Sequence, residues 1–282
     1  MNEFRDKVAV ITGAASGIGR ALADRCAAEG MKVVIADVDH TALAQTEQNL
    51  RDAGGTVLTV RTDVSKEDDI ETLAQKTIDA FGAVHLLFNN AGVDARTTIW
   101  EGTLADWQWV IGVNLWGVIN GIRTFVPIML KQGEACHIVN TSSIAGLVSG
   151  PGIGIYKVTK HGVVSLSETL ACELAAIESK IKVSVLCPAG VKTKIMDSER
   201  IRPDELKNKS VTESTVAVTK EVIEMLRQLV EDGLPPSHVA DAVFDAVRNE
   251  KFYILTHQDW KPLVKKRMED ILHERNPYET SL

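Results

Sequence analysis

The chain has 282 residues, of which 45% are hydrophobic and 24% charged, with 20 Gly and 8 Pro, a composition that excludes disorder and collagen-like repetition. Lys and Arg number 31 against 38 Asp and Glu, so the formal charge is −7; that sign opposes phosphate backbones and anionic lipid, and neither a nucleic-acid nor a membrane partner is expected. No run reads as the roughly eighteen apolar residues of a membrane span, and MNEFRDKVAVITG leads into a strand pattern with no signal-like apolar stretch.

Short β-rich runs alternate with longer helical patterns from the start. Strands are expected at Val8 to Thr12, Val33 to Ala36, Val57 to Arg61, Leu86 to Asn89, His137 to Thr141, Val183 to Cys187 and Phe252 to Leu255. Helical patterns fall at 18–29, 40–53, 66–81, 104–131 and 155–178, and again near 213–232 and 237–249. Continuous apolar strands flanked by helices belong to a parallel sheet covered on both faces, and right-handed crossovers make one open doubly wound α/β sheet of about seven strands the natural solution. After Pro188 the pattern turns polar, with Lys192, Lys194, Arg200, Arg202, Lys207 and Lys209, as expected of a mobile lid or a surface excursion. Trp260 to Arg275 reads as a helical tail, basic on one side. Cys26, Cys136, Cys172 and Cys187 lie far apart in apolar surroundings without CxxC pairing, which reads as core packing in a reducing, cytoplasmic setting and predicts no metal site.

The first strand runs into Thr12-Gly13-Ala14-Ala15-Ser16-Gly17-Ile18-Gly19. In such a turn Gly13 makes the tight bend, Gly17 admits a pyrophosphate to the backbone and Gly19 lets helix and strand pack closely, while the helix N-terminus offers N–H groups to phosphate. Asp37 ends the second strand, where a carboxylate can accept from ribose hydroxyls and repel a 2′-phosphate. Ser16 and Val38, where a basic residue would greet that phosphate, are uncharged, and Asp39 is better placed than Asp37 to cap the next helix. NAD is therefore expected over NADP. Asp63 reads either as a turn residue or as an adenine neighbour.

Tyr156 and Lys160 stand i and i+4 on one helical face, where an ammonium would lower the phenol pKa toward the range of a general acid/base. Asn140-Thr141-Ser142-Ser143 presents hydroxyls at the carboxyl edge of the fifth strand, where ligands of open sheets bind. Spacing alone does not choose between Ser142 and Ser143.

Together TGAASGIG at 12–19, Asp37, Asp63-Val64, NNAG at 89–92, Asn114 in IGVNLWG, Ser143 and Tyr156-Lys-Val-Thr-Lys160 resemble the short-chain dehydrogenase/reductase family over about residues 5–255. The resemblance implies a Rossmann-type catalytic domain over 1–258, with a substrate lid near 192–232 and a C-terminal helical tail at 259–282. It implies an active-site tetrad of Asn114, Ser143, Tyr156 and Lys160, the serine thirteen residues before the tyrosine being the one selected. It also implies cofactor contacts at Gly13, Ser16, Gly17, Ile18, Gly19, Asp37, Asp63, Val64, Asn90, Gly92, Tyr156, Lys160, Val191 and Thr193. In that pattern Tyr156 exchanges a proton with the substrate oxygen, Ser143 bonds that oxygen, Lys160 tunes Tyr156 and bonds the nicotinamide ribose, and Asn114 positions a relay water. Kink formation in the helix is the competing role for Asn114, and support of the sheet that for Asn89. Where the family shows Pro-Gly, this chain has Pro188-Ala189-Gly190, which loosens the inference for Val191 and Thr193.

Val93, Asp94, Ile144, Ala145, Val148, Ile153, Ile195 and Met196 are expected to line the substrate pocket, which suits a hydrophobic or aromatic secondary alcohol or its ketone. The expected activity is NAD-dependent oxidoreduction of such a substrate; an NADPH-dependent carbonyl reductase and a non-catalytic dinucleotide-sensing or scaffold protein are the alternatives. A homo-oligomer, dimer or tetramer, through helices 104–131 and 155–178 completes what the resemblance implies.

Overall fold

A computed structural model describes residues 1, 3–208 and 217–277. Strands β1 (Val8–Thr12), β2 (Lys32–Asp37), β3 (Thr56–Arg61), β4 (Leu86–Asn89), β5 (Cys136–Thr141), β6 (Ile181–Leu186) and β7 (Tyr253–Ile254) form one sheet in the order β3-β2-β1-β4-β5-β6-β7. Every pairing is parallel. The order reverses between β1 and β4, which opens a crevice at their carboxyl ends.

Side chains alternate across the sheet, so neighbours in a strand serve opposite layers. Ala9, Ile11, Val33, Ile35, Phe88 and Val139 pack against Leu22 and Cys26 of α1 (Gly17–Ala28) and Val243 and Phe244 of α8 (Pro236–Arg248). Val8, Val10, Val34, Leu87 and Ile138 face the other way, onto Ile70 and Leu73 of α3 (Glu67–Phe81), Phe125 and Met129 of α5 (Gly117–Gln132), and Leu170 and Leu174 of α6 (Gly154–Ala176). This two-layer burial is why the strands read as unbroken apolar runs. α2 (His40–Asp52) starts with the Asp39 carboxylate accepting from Ala42 N at 3.1 Å, so Asp39 is the cap.

Several expectations need correction. The helix expected at 104–131 is α4 (Leu104–Ile111), a π-helical turn at Gly112–Trp116 and then α5. The turn holds Asn114, whose amide is bonded to the backbone of another loop, and a polar side chain held that way accommodates an extra residue in the helical ladder. The stretch Leu104–Gln132 has the length and mean hydropathy, 1.3, to cross a membrane, alone in this among the described residues; its apolar side chains Val110, Val118, Phe125 and Met129 are instead buried in the core. Cys172 is exposed, unlike Cys26, Cys136 and Cys187, because its position on α6 turns away from the sheet. The remaining α-helices are α7 (Ala217–Glu231), whose expected start near 213 lies outside the described residues, as does Lys209, and α9 (Lys261–Leu272).

Candidate active site

The crevice at the switch point is one continuous cleft, walled by Gly13, Ser16, Gly17, Ile18 and Asp37 at one end and by Ser143, Tyr156, Lys160, Val191 and Thr193 at the other. Asp63, Val64, Asn90 and Gly92 lie between them. Of the expected cofactor residues only Gly19 stands behind the wall. A Cβ there would overlap the Gly13 carbonyl and crowd the Asn90 amide, so its role is the close helix–strand packing assigned from sequence.

Gly13 and Gly17 adopt φ of +66° and +54°, a region that favours glycine. Ser16 precedes α1 with no side-chain cap on the helix, which leaves the first N–H groups of α1 for a ligand. Asp37 accepts from Ala15 N through Oδ2 and from Asp39 N through Oδ1, each at 3.0 Å. Each oxygen keeps lone-pair capacity for a hydroxyl donor. Asp63 is a turn residue, its Oδ1 accepting from Ser65 N at 3.1 Å and Ser65 Oγ at 2.7 Å, and it also borders the cleft. A backbone that opens glycine turns and helix N–H groups beside a cleft-lining carboxylate fits a dinucleotide.

At the other end, Ser142 and Ser143 separate by their partners. Ser142 Oγ donates to Lys160 O at 2.8 Å, whereas Ser143 Oγ has a longer 3.3 Å contact to Pro188 O, accepts from Ala145 N at 3.1 Å and lies within hydrogen-bonding reach of the Tyr156 phenol. Lys160 is 2% exposed; its Nζ donates to Thr141 O at 2.9 Å and lies 5.4 Å from the centre of the Tyr156 ring. Burial pushes the Lys160 ammonium down to about 8. The expected lowering of the phenol pKa is not found: burial, reinforced by the Asp94 carboxylate, pushes Tyr156 above its ordinary value, and the Ser143 hydroxyl only partly counters it. Asp94, next to the NNAG turn, is 5% exposed with Oδ1 unpartnered, and burial raises its carboxyl to about 6.

Asn114 Oδ1 accepts from Val93 N at 2.8 Å and its Nδ2 donates to Val93 O at 2.9 Å. The π turn and these bonds show the kink role directly. They also keep the amide near Gly92, where a Cβ would lie 3.6 Å from both Asn114 Oδ1 and Lys160 Nζ. Asn89 is a sheet-supporting residue: its Nδ2 donates to Asn140 Oδ1 at 2.9 Å deep in the core.

The expected pocket lining is corrected in part. Val93 and Ile195 border the cleft, whereas Asp94, Ile144, Ala145, Val148, Ile153 and Met196 do not, because the loop after β5 turns inward and buries most of them. The lining that sequence proximity missed comes from Trp109 and Val113, a helical i, i+4 pair, and from Ile201, Pro203 and Leu206. Those last three belong to the polar stretch after Pro188, which is anchored rather than loosely solvated. Arg202 is 4% exposed, pairs with Asp106 at 2.8 Å and stacks over Trp109 at 4.8 Å, while Arg96 Nη1 donates to Met196 O at 2.5 Å.

A chain that brings these motifs to one crevice has close counterparts. The short chain dehydrogenase family profile matches residues 7–204. A CLA biosynthesis dehydrogenase/reductase of Lactiplantibacillus plantarum is 35% identical over 98% of this chain and 97% of its own, and a C alpha-dehydrogenase of Sphingobium sp. is 33% identical over 99% and 90%. The crystal structure of a short chain dehydrogenase/reductase from Burkholderia phymatum in complex with NAD superposes with a TM-score of 0.96 at 49% identity, covering 100% of this chain and 99% of that one. With sequence, sheet order and site geometry in agreement over this span, the chain is a member of the short-chain dehydrogenase/reductase family and an oxidoreductase.

Proposed function

We propose that this oxidoreductase uses NAD to interconvert a hydrophobic or aromatic secondary alcohol and its ketone. The carrying observation is that Tyr156, Lys160 and Ser143 share one cleft with the Gly13–Gly19 turn and Asp37. Gly13, Gly17, Ile18 and the α1 N-terminus would hold the pyrophosphate, Asp37 the adenosine ribose, Asp63 and Val64 the adenine side, and Lys160, Val191 and Thr193 the nicotinamide end. When bound, the nicotinamide supplies or accepts the hydride.

The side chains do the rest. Tyr156, held protonated by burial, has a proton to give to a carbonyl oxygen at neutral pH, and it must take one back in the oxidising direction. Ser143, with its hydroxyl weakly engaged, donates to the same oxygen and stabilises charge developing there. Lys160 and Asn114, both near Gly92, form the inner end of a route by which Tyr156 regains its proton. Trp109, Val113, Ile195, Ile201 and Leu206 supply an apolar wall for the substrate, and the stretch 192–206 is a described part of the lid expected near 192–232.

Asp37 with uncharged Ser16 and Val38 at the ribose end supports NAD over NADP, as does NAD in the Burkholderia relative. The half-exposed Trp116, at 50%, and Val158, at 47%, on the long helical faces support association of copies into a dimer or tetramer. Four free thiols suit a reducing, cytoplasmic setting.

The test is initial-rate turnover of a panel of secondary alcohols and ketones with NAD(H) and NADP(H). Faster turnover of apolar substrates with NAD supports the reading. Preference for NADPH would make the protein a carbonyl reductase of the other cofactor class, and dinucleotide binding without turnover of any pair would make it a sensor or scaffold.

A further inference from the structure

β6 leads straight into the loop Pro188-Ala189-Gly190-Val191-Lys192-Thr193, and the ladder to β7 ends just before it. Val185 N donates to Phe252 O at 2.7 Å and Cys187 N to Ile254 O at 2.9 Å, so the next donor along the same edge is Ala189 N. With β7 only two residues long, a side chain takes the place of the missing strand. Ala189 N donates to His257 Nδ1 at 3.2 Å, and His257 Nε2 lies 3.0 Å from Gly190 O.

The partners define the ring's state. An amide can only donate, so Nδ1 is the unprotonated nitrogen, and Nε2 carries the ring proton and donates it to the Gly190 carbonyl. The Thr256 hydroxyl lies 2.8 Å from the same nitrogen, so any proton it offers shares the one Nδ1 lone pair with Ala189 N. Leu234 N also donates to Gly190 O at 2.9 Å, and on the opposite flank Pro188 O accepts from Ile144 N at 2.8 Å. The loop is thus pinned between the segment following Ser143 and an imidazole outside the cleft wall.

The altered Pro-Ala-Gly sequence gives that imidazole its importance. Gly190 is the residue that cannot carry a Cβ, which would overlap the Leu229 carbonyl. The loop's course is therefore set by close contacts around Gly190 and by hydrogen bonds to Ala189. Just beyond Gly190, Val191 and Thr193 border the cleft.

We propose that His257 is a positioning residue for the nicotinamide end of the dinucleotide, fixing through Ala189 and Gly190 the stretch that carries Val191 and Thr193. The proposal rests on the NAD reading above. It distinguishes the two ends of the ligand by degree: the Gly13–Gly19 turn and Asp37 share no hydrogen bond with His257 and meet the stretch it holds only where Thr193 packs on Gly17, so an adenosine diphosphoribose lacking nicotinamide senses its loss less than NAD does.

Calorimetric titration of NAD and ADP-ribose into the wild-type chain, His257→Ala and His257→Asn tests this. An Asn Oδ1 reaches the Nδ1 position and can accept from Ala189. We expect His257→Ala to weaken NAD about tenfold, in line with loss of a hydrogen bond to an otherwise orphaned amide, to leave ADP-ribose within about twofold, and His257→Asn to recover most of the loss. If His257→Ala does not fold, His257→Gln, whose amide extends to the Nε2 position and misses Ala189 N, should show the same selective weakening. Unchanged NAD affinity, equal losses for NAD and ADP-ribose, or an Asn variant no better than Ala or Gln would overturn the proposal. A wild-type chain that binds neither ligand would overturn the NAD reading itself, and the proposal with it.

Discussion

The two ends of the cleft are built by opposite means. Around Gly13 to Gly19 the site is made of backbone: positive φ angles, glycines where a Cβ would crowd neighbouring atoms, bare helix N–H groups, and a carboxylate braced by two main-chain donors. Around Tyr156 it is made of buried ionisable side chains, with the phenol pushed up, Lys160 brought to about 8 and Asp94 to about 6. A site of the first kind is finished when the chain folds and selects its ligand by shape and by one charge. A site of the second kind stores desolvation, so its protonation responds to pH and to whatever enters the cleft. Its apolar wall also depends on a remote clamp, the buried Arg202–Asp106 pair that docks the stretch after Pro188 onto α4.

The comparison breaks most visibly at that clamp. Arg202→Met leaves Asp106 buried with only its Thr103 and Asn208 hydrogen bonds, and removal of one partner of such a pair costs about 3–5 kcal/mol. Denaturant unfolding should show a loss near the lower figure, with ADP-ribose affinity of the folded variant unchanged; a change below about 1 kcal/mol would show that the clamp does not hold the wall. Asp94 sharpens the electrostatic side. Its carboxyl rises from an ordinary 3.8 to about 6 on folding, so between those values the folded chain holds a proton that the unfolded chain has lost. The stability conferred is complete below pH 3.8 and disappears as pH rises through 6, by up to about 3 kcal/mol. Asp94→Asn should flatten that slope in melts across pH 4 to 7, and an unaltered slope would place its origin elsewhere.

The smallest expected effect belongs to the backbone-built end. Asp37→Ala with Val38→Arg removes a repulsion and adds a phosphate partner. The NAD/NADP ratio of kcat/KM should fall by one to two factors of ten, each worth about 1.4 kcal/mol. A ratio unmoved in the double variant would reduce Asp37 to a turn residue.

The same contrast explains what was legible in the sequence. Gly13, Gly17, Gly19 and Asp37 act through backbone freedom, close approach and one half-buried carboxylate, properties each residue type carries with it, and the structure puts the glycines in the β1–α1 turn and Asp37 at the end of β2. The parallel sheet was legible for a similar reason, since two-sided burial writes itself into Val8–Thr12 or Leu86–Asn89 as unbroken hydrophobicity. The direction of the Tyr156 shift was not, because it depends on how deeply α6 buries the phenol and on Asp94, a residue 62 positions away in the chain. The wall from Trp109, Ile201 and Leu206 was missed because it is assembled by the Arg202 clamp, and a lone Arg in a polar run reads as solvated. Ser142 and Ser143 were inseparable by chemistry until the Lys160 carbonyl claimed one of them.

The most direct test of the account pairs two readings on Tyr156→Phe: turnover of a secondary alcohol with NAD, and NAD affinity by calorimetry. The ring still packs over Lys160 but has no proton to exchange, so kcat should fall by about 10²–10⁴-fold while NAD affinity stays within about twofold of wild type. Retention of more than about a tenth of the wild-type rate would contradict the assignment of Tyr156 as the acid/base and, with it, the division of the cleft into a binding end and a proton-transfer end.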